Sequence, residues 1–146
     1  MLFPFLSPKL HGVLDYLVGV FFIASPWIFG FSHYPVATAV PIVVGVVAIG
    51  YSLFTDYPPA LRRALPLFVH LWLDIGAGLL LCLAPFLLGF SHITHWPFII
   101  MGVMEIGVAM ITANSVTNHI RDGAGHDVVP PGGPTTAGGQ GQPHTA

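Results

Sequence analysis

Charge is what this chain has least of. Of its 146 residues only 7% are charged, four Lys+Arg against six Asp+Glu, where an ordinary soluble domain carries about 25%. So few charges cannot coat a water-soluble globule of this size, and that class is excluded. A net charge of −2 gives no sign of a nucleic-acid partner, which calls for a basic face. Cysteine is nearly absent. Cys82 stands alone in an apolar run, so there is no intrachain disulfide and no C-x-x-C pair for thiol–disulfide chemistry. Catalytic signatures are missing as well: no G-x-S-x-G, no H-E-x-x-H and no phosphate-binding glycine loop. The chain is read as non-enzymatic and without a cofactor.

What it has in quantity is apolar sequence, 54% of all residues. Long runs occupy 10–31, 36–55, 66–90 and 96–114. Each approaches the ~20 residues a helix needs to cross a bilayer. None shows the period-2 alternation of a barrel strand. The expected fold is all-α, a four-helix transmembrane bundle. Lys9, Arg62, Arg63 and Arg121 all fall on one side of these spans, and the loops "SHYPVA" and "SHITHWP" have no basic residue. The positive-inside rule puts both termini in the cytoplasm. Ser7-Pro8 supplies an N-cap and first-turn proline for span one. Gly30 and Gly89 suit left-handed caps for spans one and three. Tyr34, Trp27 and Trp96 suit the outer interface.

The chain repeats itself. "HGVLDYLVGVFFIASPWIFGFSH", from His11, aligns 59 residues later with "HLWLDIGAGLLLCLAPFLLGFSH", from His70. Identities include His11/His70, Asp15/Asp74, Gly19/Gly78, Pro26/Pro85, Gly30/Gly89 and His33/His92. The second spans align at an offset of 57, with Gly45/Gly102, Val46/Val103, Ile49/Ile106, Gly50/Gly107 and Thr55/Thr112 identical. Shared hydrophobicity alone would not align two His pairs, an Asp pair and a proline pair. The units read as an interfacial N-terminus at 1–9, hairpins at 10–56 and 66–115, a cytoplasmic loop at 57–65 and a disordered Gly/Pro/Thr/Gln tail at 116–146. Two hairpins of equal orientation predict parallel pseudo-two-fold symmetry about the membrane normal.

With Ser25-Pro26-Trp27 late in its first helix, the hairpin resembles the SPW-repeat family of small integral membrane proteins, a two-helix unit bearing that tripeptide. The resemblance spans both repeats, although the second reads Ala84-Pro85-Phe86 and keeps only the proline. It implies a topology and no activity. The residues themselves give the tripeptide a structural reading. Pro26 removes the hydrogen bond to the Phe22 carbonyl, the Ser25 hydroxyl is placed to compensate, and Trp27 anchors the kinked end.

On a helical wheel His11, Asp15, Gly19, Pro26 and Gly30 fall within about 100° of one another. This stripe is expected to face the seam between the halves, with Gly19 and Gly78 allowing close backbone approach. His11, Asp15, His70 and Asp74 then form an inner polar cluster. It can staple the halves through His11–Asp74 and His70–Asp15 pairs, serve an ion path, or offer two axial histidines to haem. Glu105, whose counterpart is Ala48, is a candidate intramembrane acid on a face with Gly102, Ala109, Thr112 and Ala113. Its expected partner is a neighbouring helix, through Ser52 or a backbone carbonyl freed by a proline. Outside the spans, His33, His92 and His95 form a weak metal-ligand cluster, read here as plain loop histidines.

Three functions stay open. The leading one is a scaffold, interaction or accessory subunit of the cytoplasmic membrane, surrounded by lipid and partnered by its own copies or other membrane proteins. The second is a proton, ion or small-solute transport module using Asp15, Asp74 and Glu105. The third is a haem-binding electron carrier through His11 and His70.

Overall fold

In a computed structural model, which describes residues 7–56 and 64–126, four helices run in sequence. They are α1 (Pro8–Ile28), α2 (Pro35–Ser52), α3 (Leu67–Leu87) and α4 (Trp96–His126). All four are long and apolar enough to cross a membrane, and no strand occurs among the described residues. The protein is a multi-pass helical bundle. Arg62, Arg63, the first six residues and the distal tail lie outside the described residues, as does most of the expected loop at 57–65.

Local chemistry sets the helix ends. Ser7 Oγ accepts from the Leu10 amide at 3.3 Å, with Pro8 in the first turn. At the far end of α1, Gly30 takes φ +74°, and the Phe31 amide returns to the Pro26 carbonyl at 2.9 Å. The same closure recurs after α3, with Gly89 at φ +75° and Phe90 bonded to the Pro85 carbonyl at 2.9 Å. A left-handed residue followed by this back-bond is the Schellman stop, which glycine adopts without steric cost. It delivers Phe31 and Phe90 inward, where both rings pack on Phe98.

The tail departs from expectation. A disordered segment was expected from residue 116, but α4 continues through His126, and only residues 127–146 lie outside the described part. The reason is helix cooperativity: each residue added to a formed helix gains a hydrogen bond without a new nucleus. Nothing between Asn114 and Asp122 is proline or glycine. Thr117 and Asn118 bond one turn back, to the Ala113 carbonyl at 2.9 Å and to Asn114 Oδ1 at 3.4 Å.

Packing is closest within each hairpin, α1 on α2 and α3 on α4, and sparser between hairpins. Glycines create the close crossings. A Cβ on Gly45 would stand 2.5 Å from the Gly19 carbonyl oxygen, and one on Gly78 would stand 2.6 Å from that of Gly102. This corrects the expected role of Gly19 and Gly78, which meet their own hairpin partners and not each other. The stripe drifts about 40° with every four residues. It faces the other hairpin at His11 and has turned toward α2 by Gly19.

The interior has two unlike ends. Toward the α1–α2 and α3–α4 turns it is an apolar core of Phe22, Phe31, Leu81, Phe90, Phe98 and Met101. Toward the ends of α1 and α3 that begin each hairpin it is polar. Outward faces are apolar, with Leu17, Val20, Val43, Leu80 and Ile100 exposed. Polar groups inside and apolar groups outside is the arrangement a lipid solvent favours.

Candidate functional site

The polar end is built by all four helices. His11 and Asp15 lie one turn apart near the start of α1, and His70 and Asp74 one turn apart near the start of α3. Spacing of i, i+4 puts each pair on one helix face. The faces meet, and all four side chains are buried. His11 Nε2 lies 3.4 Å from Asp15 Oδ1 and 3.3 Å from Asp74 Oδ2. His70 Nε2 lies 2.9 Å from Asp15 Oδ2 and 3.2 Å from Asp74 Oδ2. The imidazoles touch edge to face with centroids 5.4 Å apart. Both expected cross-hairpin pairs are therefore present, together with both pairs within a helix.

The second helix of each hairpin backs the histidine of the other. Thr55, in the turn that ends α2, contacts His70 Nδ1 at 2.8 Å, and Thr112 of α4 contacts His11 Nδ1 at 3.1 Å. Each threonine hydroxyl has one proton, and it goes to the backbone: Thr55 to the Tyr51 carbonyl at 2.8 Å, Thr112 to the Val108 carbonyl at 2.9 Å. With those protons on the backbone, the threonine oxygens are free to accept from an imidazole that carries a proton on Nδ1. Nε2 of both rings is left facing the carboxylates.

Hydroxyls from α2 hold the carboxylates. Tyr51 donates to Asp74 Oδ1 at 2.6 Å and Ser52 to Asp15 Oδ2 at 3.5 Å. Ser52, one of the two partners expected for Glu105, serves Asp15 instead, because the end of α2 lies level with the tetrad. Glu105 is buried at 8% exposure on the small-residue face foreseen for it, beside the fully buried Ala109 and Thr112. It lies close enough to Asp74, Asp15 and His70 to feel their charge.

Tyr51, Thr55 and Thr112 were not singled out as site residues from sequence. The threonines did leave a signal, being one of the identities between the second spans. Tyr51 left none, since its counterpart is Val108. The outer histidines stay apart from this site. His33 and His92 are exposed, and His95 contacts the Ser91 carbonyl at 2.9 Å and stacks beside Trp96. Among the described residues, the group of His, Cys, Asp and Glu close enough to share an ion is His11, Asp15, His70 and Asp74.

The tripeptide has the geometry expected of it. Ser25 Oγ donates to the Phe22 carbonyl at 2.7 Å, the group that Pro26 leaves without its helical partner. Pro26 is buried and Trp27 is 62% exposed.

The family model of the SPW repeat domain matches residues 9–112, and the chain belongs to that family. Searches of curated proteins and of solved structures found no match.

Proposed function

We propose that this protein is a non-enzymatic module of the cytoplasmic membrane, with both termini in the cytoplasm, serving as a scaffold or accessory subunit. The observation that carries the reading is the inward turn of its polar chemistry. The His/Asp tetrad binds hairpin to hairpin, the far half of the interior is closed by aromatic and aliphatic side chains, and the outer faces are apolar. Such a molecule presents its surroundings with an apolar exterior. Affinity purification of the full chain from its native membrane, at native expression level, tests this. A stoichiometric membrane-protein partner or a defined homo-oligomer is the expected result. A lone monomer overturns it.

One observation favours a second reading, a proton or ion module: Tyr51, Asp74 and Glu105 lie within electrostatic reach of one another. Intramembrane ionisable groups are functional candidates by default. Proton flux in proteoliposomes that Glu105→Gln and Asp15→Asn abolish would support it, and flux no greater than in empty liposomes would remove it. Haem ligation finds less support. Two axial histidines must face an iron from opposite sides of a macrocycle, whereas these rings are in direct contact and their Nε2 atoms face carboxylates.

A further inference from the structure

We propose that His11, Asp15, His70 and Asp74 form a four-coordinate site for one divalent transition-metal ion of the zinc class, held in the seam between the hairpins. The inference goes beyond the scaffold reading and does not depend on any partner.

Proton accounting leads to it. The threonines that contact the two Nδ1 atoms also donate to backbone carbonyls, an arrangement that suits imidazoles with the proton on Nδ1. In that tautomer the Nε2 atoms bring lone pairs toward carboxylate oxygens at 2.9 to 3.4 Å. Acceptors facing acceptors at that range require positive charge between them. Two further protons would supply it, and so would one divalent cation. Two carboxylates and two neutral imidazoles around such an ion make a cluster of zero net charge, which a low-dielectric interior favours over separated ions.

Geometry points to the cation. Zinc–nitrogen and zinc–oxygen bonds of about 2.0–2.2 Å at a tetrahedral centre place neighbouring ligand atoms roughly 3.3–3.6 Å apart. Three of the histidine–carboxylate separations, 3.2 to 3.4 Å, sit at or just under that edge length, and His70–Asp15 is shorter at 2.9 Å. One ligand atom from each residue can be chosen so that all lie within 4.8 Å of one another. Separations up to that limit must close by an amount on the order of 1 Å. The supporting shell is also that of a metal site. Metal-bound histidine ordinarily donates its other nitrogen to a fixed oxygen, and ligating carboxylates are themselves hydrogen-bonded. Thr55 and Thr112 take the first role, Tyr51 and Ser52 the second. Two nitrogens and two oxygens without a thiolate or thioether suit zinc and its neighbours, not copper(I).

The test uses the full chain in detergent, stripped with a chelator and titrated with Co²⁺ and Zn²⁺. Co²⁺ is expected to give the intense visible bands of a tetrahedral centre, saturating at one ion per chain and displaced by Zn²⁺. Asp74→Asn, which keeps the volume and the contact with Tyr51, should abolish the bands. Thr112→Val, which removes no ligand, should weaken affinity about 10–100-fold. The His33→Ala/His92→Ala/His95→Ala variant should bind like the wild type. Absent bands, bands that survive Asp74→Asn, or binding lost in the outer triple variant each overturn the proposal. Should Asp74→Asn fail to fold, zinc-edge X-ray absorption on the wild-type chain decides. Two imidazoles with two oxygens support the site, and sulfur or a third imidazole refutes it. A metal-free tetrad leaves the scaffold reading standing on protons, and a partnerless protein leaves the metal reading standing.

Discussion

Hairpin one, α1 with α2, and hairpin two, α3 with α4, use the same parts where they meet and different parts around the meeting place. Each contributes one His and one Asp from its first helix, and one Thr that backs the other hairpin's His. Each closes its first helix with the same glycine stop. The surroundings then diverge. Hairpin one brings Tyr51 and Ser52 to the carboxylates, where hairpin two has Val108 and Ala109. Hairpin two brings Glu105, where hairpin one has Ala48. Hairpin one compensates its helical proline with Ser25, where hairpin two has Ala84. A duplicated scaffold has kept the shared tetrad and assigned its hydrogen-bond donors to one half and its extra acid to the other.

The largest break in that comparison should come from the tetrad. His11→Ala and His70→Ala each leave buried carboxylates without their histidine, a loss of about 3–5 kcal/mol. Thermal unfolding in detergent should show similar drops for the two. A drop in only one would mean that the halves are not equivalent at the seam.

Next come the glycine crossings. Gly45→Ala and Gly102→Ala each push a Cβ into the facing backbone, Gly19 or Gly78, and should cost about 1–3 kcal/mol. Gly50→Ala and Gly107→Ala, with nothing within 4 Å of the added carbon, should be neutral or stabilising by up to about 1 kcal/mol. Unfolding curves that rank the two sets the other way would displace the crossings from the positions given to them.

The proline compensation predicts a smaller, opposite-signed pair. Ser25→Ala should cost about 1 kcal/mol by removing the bond to the Phe22 carbonyl. Ala84→Ser should recover part of such a bond in hairpin two. If Ala84→Ser destabilises as much as Ser25→Ala, the two prolines are accommodated differently.

Glu105 gives the smallest effect. Glu105→Gln removes a buried acid that lies near two other carboxylates, and stability should stay level or rise by on the order of 1 kcal/mol. A fall would make Glu105 a supporting member of the seam.

Much of the fold was legible because membrane helices announce themselves by length and apolarity, and their ends by Ser7-Pro8, Gly30 and Gly89. The tetrad was legible because duplication marked it: His and Asp pairs 59 residues apart stand out against apolar sequence. Its surroundings were harder to read. Tyr51 and Ser52 have no repeat counterparts, and the threonine pair named no target. The glycine stripe was misassigned because a wheel gives a direction on one helix and not the identity of the neighbour in that direction. The stretch from 116 was set with the tail because the apolar run ends at Asn114, and hydropathy does not register the support of a helix already formed.

By itself, then, the sequence determined that the chain is a four-span membrane protein of two related hairpins, since hydrophobic length and internal identity are properties of the chain alone. Only the tertiary structure decided which carboxylate oxygen faces which imidazole nitrogen, which histidine each threonine backs, and that Ser52 serves Asp15. Those are relations between helices. They depend on rotation and depth of packing, which close-packed side chains set at the level of a few tenths of an ångström.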